Sequence, residues 1–479
     1  MNCIKHRALL LKSARVFLFN PSSFDCYPRL TCEQGIMAST IKSTLKPSRL
    51  AMFSSAATTP MTNVALDQNH LVGLRGLLVF QSFLFIFFQA FLPGAVIDSR
   101  NLHGPAYQTG LRKSISVILA NGPLIYGWII FLSARTICLP YLSNKSRQVC
   151  ASSVFRRSIR LWIPTFVAYS LAAAAFSTTS TDYISEFLIS TNNVSTIAPL
   201  RMRNFLIYFN SLFELFWVNK DYASQAANLA FPSGTLWIIS ILFQQSYTVY
   251  MTMVIVPSTR VSWRVKAMVT FIAAAWWVQS WAWYSVTGLL IADAVLNMDF
   301  ALRSRRGLQM GTFTLPIWPL YATMVVTGVL LQFLFVSAKP SMRDDELYGH
   351  TALYEDGFLN KNMDASQPMA RVDNYLIILG ASLLIETFEW PRGLLRRRFF
   401  VAMGRRSFSW FLMQSLVVYT VGIILYMQMA NTGSNTAMSA FVAFVVCLPL
   451  TALLSEVFYR VVDIPSIVVA RSFWAFMTT

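Results

Sequence analysis

Four arginines beside apolar runs are the residues in this sequence whose types and spacing could do chemistry. Arg75 lies near the start of the apolar run 71–96, and Arg156, Arg157 and Arg160 precede a second run. Arg157 and Arg160 are three residues apart, so they would share one face of a helix. Guanidinium groups on one face can hold a phosphate through paired hydrogen bonds. On the residues alone we favour anchoring of helix ends to lipid headgroups, and a phosphate-binding site at Arg157 and Arg160 is the functional alternative.

The elements that carry these arginines are predicted to be membrane helices. Of the 479 residues, 55% are hydrophobic and 13% are charged, whereas soluble domains carry about 25% charged residues. Several apolar runs reach the ~20 residues that cross a bilayer. The net charge of +18 is concentrated in short loops between these runs, which is typical of membrane topology and not of nucleic-acid binding. We expect a lipid bilayer as a partner, and no nucleic acid.

Hydropathy predicts an all-α polytopic membrane protein with about ten transmembrane helices. The predicted spans are 77–97, 115–139, 160–177, 235–257, 267–281, 283–299, 314–338, 372–390, 408–428 and 437–462. Basic residues gather in alternate loops, and this bias places both termini in the cytosol. The sequon that begins at Asn193 then falls outside the cytosol, where it could carry a glycan.

Two regions differ in composition. Residues 1–62 are rich in Ser, Lys and Arg, and residues 63–479 form the predicted membrane bundle. The first region suits a transit peptide or a disordered cytosolic tail, of which we favour the tail. The six cysteines form no CxxC pair and show no metal-ligand spacing, so we expect no bound metal ion.

Several short motifs, taken in order, resemble the acyltransferase-3 family of integral-membrane acyltransferases and look most like its fungal members. The resemblance covers about residues 70–471 and rests on Leu74-Arg75-Gly76, on Arg157 and Arg160, and on the segments 122–133, 283–295, 403–422 and 453–471. It implies a ten-helix bundle that transfers an acyl group, most simply acetyl, from acyl-CoA to a hydroxyl of a small molecule. Acyl-CoA is then a co-substrate, and no cofactor stays bound.

The resemblance also implies a catalytic pair that this chain has only in part. The family pairs an arginine, matched by Arg75, with a histidine eleven residues later, and that position is Ile86 here. A late family histidine falls on Gln414. Histidine is suited to removing a proton from a hydroxyl near neutral pH, and neither of these replacements can act as a base.

Other residues could fill the missing role. His70 precedes the first span on the side of Arg75. Gln89, one turn beyond Ile86, and Gln81, nearer the start of the span, could orient a hydroxyl or stabilise an oxyanion. We therefore name Arg75, His70, Gln89 and Gln414 as catalytic candidates, and Arg156, Arg157 and Arg160 as residues that bind CoA. His103 is a weaker candidate. Acidic residues in or near the spans are further candidates, or else they pair with arginines: Asp293, Glu386, Glu389 and Glu456.

Three hypotheses follow from these residues. The first is an active O-acyltransferase of an endomembrane such as the endoplasmic reticulum. The second is a relative that binds acyl-CoA or lipid without turnover, because it keeps the arginines and lacks the histidine. The third is a transporter, against which we find no internal repeat. The aromatic segment 276–284 suits either the membrane interface or a wall that stacks on a ring-shaped ligand.

Overall fold

The described part of the chain is helical. The structure is a computed structural model, and it describes residues 68–97, 101, 104–178, 181–202, 204–218, 221–310, 313–343, 345–346 and 367–478. The predicted tail 1–62 and the histidines His6, His103 and His350 lie outside these ranges. In the described ranges, β-structure is limited to one antiparallel pair, β1 (Leu308–Met310) and β2 (Phe313–Leu315).

Eleven α-helices precede the bend at residue 298 in the described chain. They are α1 (Asn69–Phe91), α2 (Ala106–Arg112), α3 (Ser116–Leu119), α4 (Gly122–Ser143), α5 (Arg147–Thr178), α6 (Asp182–Ser190), α7 (Phe205–Trp217), α8 (Ala226–Ala230), α9 (Trp237–Ile255), α10 (Val261–Trp277) and α11 (Ala282–Asn297).

The remaining described helices follow that bend. They are α12 (Phe300–Arg306), α13 (Trp318–Phe333), α14 (Val372–Thr387), α15 (Glu389–Leu395), α16 (Arg398–Arg405), α17 (Ser407–Val417), α18 (Ile423–Asn431), α19 (Thr436–Phe458) and α20 (Ile464–Thr478). Short π-helical segments join α17 to α18 and α19 to α20, so each pair continues as one rod.

The number of clear spans is smaller than the ten that hydropathy predicts. Seven described helices are long and apolar enough to cross a membrane, or eight if the pair α11 and α12, bent by 84°, counts as one span. The seven are Asn69–Phe91, Ser116–Ser143, Arg147–Phe176, Trp237–Ser258, Trp318–Ala338, Ser407–Asn431 and Thr436–Thr478. The fifth and eighth predicted spans coincide with α10 and α14, which have only 17 and 16 residues. Both are shorter than the ~20 residues that a perpendicular span needs.

Side-chain caps fix where several helices begin. The Oδ1 atom of Asn121 accepts a hydrogen bond from the backbone N–H of Leu124 at 3.1 Å, and Pro123 follows at the second position of α4. Asn204 caps α7 in the same way, with Ile207 as the donor at 2.8 Å. An asparagine at this position satisfies an N–H group that has no partner within the helix.

The glycines of helix α1 let other backbones approach closely. Gly76 faces α16, where an added Cβ would overlap the carbonyl oxygen of Phe400. Gly404 faces back toward α1, and an added Cβ there would overlap the carbonyl oxygen of Val72. Small residues at such crossings are typical of membrane helix packing. The glycine of the Leu74-Arg75-Gly76 motif is therefore a packing residue, and it sets the position of Arg75.

The position of Asn193 does not agree with the predicted glycosylation. Its side chain is buried, with 4% exposed, and its Nδ2 atom donates to the carbonyls of Gln89 at 3.0 Å and Ala90 at 2.9 Å. These carbonyls belong to the last turn of α1, whose C=O groups lack partners within the helix. A glycan would be attached to the same Nδ2 atom, so the structure gives Asn193 a capping role instead.

Helix α7 is amphipathic. Leu212, Leu215 and Phe216 are buried against neighbouring helices, whereas Phe205 and Trp217 are 76% and 66% exposed. An exposed apolar face beside a packed face suits a helix at the membrane interface. Packing on the bundle and a position at the membrane interface are therefore compatible for α7.

Candidate functional site

The arginine motifs of α1 and α5 come together at one cavity. This cavity, called the arginine cavity here, has a volume of about 380 Å³ and is lined by Arg75, Arg156, Arg157, Arg160 and Arg471. The first four arginines were predicted from the sequence to form a site. Because α1 and α5 are separate spans, only their packing decides that the arginines share a cavity.

Hydroxyl groups on neighbouring helices hold two of these arginines in place. Arg75 donates to Oγ1 of Thr136 on α4. Arg157 donates to Oγ of Ser133 at 2.6 Å and to Oγ of Ser246 at 3.0 Å. These partners are neutral, so they orient the guanidinium groups without cancelling their charge.

Arg471 is a member of the site that was not among the predicted candidates. It lies on α20, close to two aromatic contacts with α5: Phe155 stacks on Phe473 with ring centroids 5.5 Å apart, and Trp474 lies 5.8 Å from the same ring. These contacts pin the end of the chain beside Arg156. The sequence signal was available, because Arg471 is the last residue of the segment 453–471 that carries the family resemblance.

The charge of the arginine cavity is not balanced by its lining. Aspartate, glutamate and histidine are all absent from the described residues that line it. Within the described chain, none of the five arginines forms a salt bridge. Asp463, which interacts electrostatically with Arg160, lies behind the lining. Arginine keeps its charge at neutral pH, so this cavity is suited to an anion with several charges.

His70 belongs to a different cluster. Its Nε2 atom lies 2.8 Å from Oε1 of Glu386, and Arg135 donates to the same oxygen at 2.5 Å. Arg392 contacts Oε2 of Glu386 at 3.2 Å. We call His70, Arg135, Glu386 and Arg392 the ion cluster. His70 does not line the arginine cavity, so the structure does not bring the predicted imidazole to Arg75.

Gln414 lines neither the arginine cavity nor a second cavity, but its partner Ser82 lies on α1 between Val79, which lines the first, and Phe85, which lines the second. Its Nε2 atom donates to Oγ of Ser82 at 2.8 Å, and its Oε1 atom is buried with no partner in the described chain. Phe411, one turn before Gln414, lines the arginine cavity. Gln414 is thus placed to accept a hydrogen bond just beyond the arginines.

Gln89 lines the second cavity, which has a volume of about 760 Å³. We call it the aromatic cavity because Tyr126, Trp237 and Trp281 contribute to its wall. The Oε1 atom of Gln89 is also buried with no partner in the described residues. The four predicted catalytic residues are therefore distributed over the two cavities, the region between them and the ion cluster.

The two cavities lie end to end along shared helices. On α4, Tyr126 lines the aromatic cavity and Ile129 lines the arginine cavity. On α9, the neighbours Trp237 and Ile238 make the same division. With a rise of ~1.5 Å per helical residue, the two linings are separated by less than one turn along these helices.

The other predicted acidic candidates are paired with arginines. Asp293 contacts Arg264 at 3.0 Å, and Glu389 contacts Arg305 at 3.0 Å. Glu456 pairs with Arg460 at 2.6 Å and also with Arg406. Of the two roles considered for these acids, catalysis and pairing with an arginine, the structure shows the pairing. In the described residues, no three His, Cys, Asp or Glu side chains come together to hold a metal ion.

Comparisons with family models, with curated proteins and with solved structures find no significant match for this chain. The resemblance to the acyltransferase-3 family therefore rests on the chain's own motifs.

Proposed function

We propose that this protein is a membrane-bound O-acyltransferase that moves an acyl group, most simply acetyl, from acyl-CoA to a hydroxyl of a small molecule such as a fungal secondary metabolite. The observation that carries the proposal is the convergence of five arginines on one cavity whose described lining contains no acid. CoA carries a pyrophosphate and a 3′-phosphate, which together need several positive partners.

The arginine cavity matches the chemistry of such a ligand. Its volume of about 380 Å³ lies within the ~300–1,000 Å³ range of small-molecule sites. Arg156, Arg160 and Arg471 would bind phosphate oxygens, because a guanidinium group can form two parallel hydrogen bonds to them. Apolar residues between the arginines, such as Leu132 and Ile239, suit the chain that links the nucleotide to the thioester.

The transfer itself would join the acceptor oxygen to the acyl carbon. The hydroxyl oxygen attacks the thioester carbonyl, the C–S bond breaks, and CoA leaves with its sulfur. Arg75, held by Thr136, would stabilise the negative charge that develops on the carbonyl oxygen. The hydroxyl proton ends on the CoA sulfur, so the leaving thiolate serves as the final proton acceptor.

The glutamines would orient the acceptor in this mechanism. Gln414 has a buried, unpartnered Oε1 atom between the two cavities, so it can accept a hydrogen bond from an attacking hydroxyl. Gln89 offers the same kind of atom inside the aromatic cavity. A hydroxyl that is held by a glutamine reacts faster, because its oxygen is already oriented for attack on the thioester carbonyl.

The membrane arrangement belongs to the same proposal. Counting α10 and α14 as short crossings, together with the eight spans that include the bent pair, gives ten. Both termini and the arginine cavity would then face the cytosol, where acyl-CoA is available. Basic loops on that side agree with this orientation. An endomembrane, most simply the endoplasmic reticulum, is the proposed location.

A second candidate function is binding of acyl-CoA without turnover. The observation that favours it is the absence of histidine, aspartate and glutamate from the described lining of the arginine cavity. Acyl transfer to a hydroxyl is usually assisted by a general base. A chain that keeps the phosphate-binding arginines without such a base could serve as an acyl-CoA sensor.

Binding and transfer measured on the same membranes separate these candidates. We would express the full chain in yeast microsomes, titrate it with CoA, and follow label from radioactive acetyl-CoA into an extract of the producing organism. Arg75→Gln and Arg157→Gln are the test variants. Arg306→Gln is the matched control, because Arg306 is exposed and does not line the cavity.

The outcomes point in different directions. Loss of transfer in Arg75→Gln, and loss of both CoA binding and transfer in Arg157→Gln, with Arg306→Gln unchanged, would support the acyltransferase. Binding that depends on the arginines but gives no transfer with any extract would support the sensor. If the unaltered protein does not bind CoA, the proposal is refuted.

A further inference from the structure

The aromatic cavity contains a buried cation that the proposed binding of CoA does not use. Arg112, at the end of α2, lines this cavity and is 9% exposed. Its hydrogen bond within the described chain is a long one, 3.5 Å from Nη1 to the carbonyl oxygen of Asn101. Burying a guanidinium group without an acidic partner is unfavourable. We therefore expect Arg112 to pair with an anion, and the described residues do not provide one.

The other charged residues around the aromatic cavity do not neutralise the positive charge of Arg112. Lys113, Arg343 and Arg371 also line it, whereas no aspartate or glutamate does so in the described part of the chain. Asp373 and Glu346 lie near Arg343 and Arg371 and offset part of their charge. Neither acid contacts Arg112, so the uncompensated charge stays on the α2 side of the cavity.

Part of the wall of the aromatic cavity is formed by aromatic side chains. Tyr126 and Trp237 meet edge to face with centroids 4.8 Å apart, and Phe85 lies 6.0 Å from Tyr126. Trp281 extends this surface, with its ring 6.2 Å from that of Trp237. Aromatic side chains in such arrangements present flat apolar surface on which a ring can pack.

A polar acceptor atom lies in the same cavity. The Oε1 atom of Gln89 is buried and has no partner in the described residues. An amide oxygen accepts hydrogen bonds, so a ligand hydroxyl is a suitable donor. The lining thus offers a cation, a ring surface and a hydrogen-bond acceptor.

We infer that the aromatic cavity binds an aromatic hydroxy acid, with its carboxylate on Arg112, its ring on Tyr126 and Trp237, and a hydroxyl directed toward Gln89. This inference rests on the proposed function, in which such a compound is the acyl acceptor. A volume of about 760 Å³ accommodates a ligand of several fused rings. The requirement for a carboxylate distinguishes this acceptor class from neutral sugars and sterols.

The test uses a probe pair that differs in one charge. We would reconstitute the full chain in nanodiscs and measure binding of 6-hydroxy-2-naphthoic acid and of its methyl ester by equilibrium dialysis, with empty nanodiscs as the blank. The acid should bind at least roughly tenfold more tightly than the ester, because a hydrogen bond to a charged group contributes ~1.5–3 kcal/mol.

Substitutions at Arg112 and Lys113 show which residue produces the preference for the acid over the ester. Arg112→Gln should weaken binding of the acid roughly 10- to 100-fold and leave binding of the ester unchanged. Arg112→Lys keeps the charge and should retain most of the preference. Lys113→Gln is the matched control, because Lys113 lines the same cavity but is exposed.

A parallel CoA titration distinguishes failure of this inference from failure of the proposed function. CoA binding should be the same in Arg112→Gln and in the unaltered protein, which also shows that the variant is folded. Equal binding of acid and ester, or a preference that survives in Arg112→Gln, would overturn the inference while CoA binding still stands. Loss of CoA binding in Arg112→Gln would mean that Arg112 has a structural role, and this would also overturn the inference.

Discussion

Nε2 of His70 lies 2.8 Å from Oε1 of Glu386, and this buried contact joins the first turn of α1 to the end of α14. Glu386 also accepts from Arg135 on α4. Thr136, the next residue on α4, holds Arg75. The ion cluster therefore lies directly behind the wall of the arginine cavity, and His70 supports the site instead of lining it.

This role of His70 predicts a loss of stability. His70→Ala should lower the free energy of unfolding by about 1–3 kcal/mol, because a buried carboxylate loses a hydrogen bond. Glu386→Ala should cost about 3–5 kcal/mol, since it leaves buried arginines without their acid. Thermal unfolding in detergent measures both. His70→Gln, which can still donate to Glu386, should recover stability and transfer activity; activity that stays lost in a stable His70→Gln protein would instead indicate an imidazole base.

The arginine cavity predicts a salt-dependent affinity for CoA. Binding should weaken as ionic strength rises from 50 to 300 mM, because the attraction between phosphates and partly exposed arginines is screened over a Debye length of ~10 Å. Arg471→Gln should raise the Kd for CoA about tenfold and reduce the salt dependence. Arg306→Gln is the control for a change in net charge. A Kd that does not respond to salt would argue against phosphate binding by the arginines.

The position of Gln414 predicts a gain of base catalysis. Gln414→His introduces an imidazole between the two cavities, where the family resemblance expects one. A neutral imidazole accepts a proton and a charged one does not. A plot of kcat against pH should therefore rise near pH ~6.5 in this variant. Gln414→Leu removes the amide and should lower kcat while the KM for acyl-CoA stays unchanged. An identical pH profile in both variants would place the reaction away from Gln414.

The capping role of Asn193 predicts that the chain is not glycosylated there. Treatment with an endoglycosidase should leave its electrophoretic mobility unchanged. Asn193→Ala should lower the free energy of unfolding by about 1–3 kcal/mol, because two carbonyls at the end of α1 lose their buried donor. Asn193→Asp keeps the size of the side chain but not the donor, so it should cost a similar amount. A mobility shift that Asn193→Ala abolishes would contradict the structure.

The crossing of α1 and α16 predicts that Gly76 tolerates no side chain. Gly76→Ala should lower the unfolding temperature and the yield of folded protein, since the new Cβ overlaps the backbone of α16. Gly110→Ala is a matched control in helix α2, where nothing lies within 4 Å of an added Cβ. That control should be neutral or slightly stabilising, because alanine favours the helix by about 1 kcal/mol over glycine. Equal effects of the two substitutions would mean that the crossing is not tight.

Local patterns in the sequence were sufficient for the helical membrane fold and for four of the five arginines that line the arginine cavity. An apolar run of about 20 residues forms a membrane helix whatever its neighbours are, because its backbone must satisfy its own hydrogen bonds. For this reason Arg75, Arg157 and Arg160 could be assigned to helices α1 and α5 before the structure was known. The two short helices α10 and α14 show the limit of this approach, because hydropathy alone does not measure where a helix ends.

Tertiary packing decided which chemical groups meet. His70 and Arg75 are close in the chain, yet they have different surroundings. His70 contacts Glu386, 316 residues away, whereas Arg75 lines the arginine cavity together with Arg471 of the last helix. A contact of this kind depends on how several helices cross, so it cannot be predicted from the periodicity of one segment. The sequence by itself therefore determined the helices and the charges they carry. Only the packing of α4 against α1 and α5, and of α5 against α20, decided that five arginines share one cavity without an acid in its described lining.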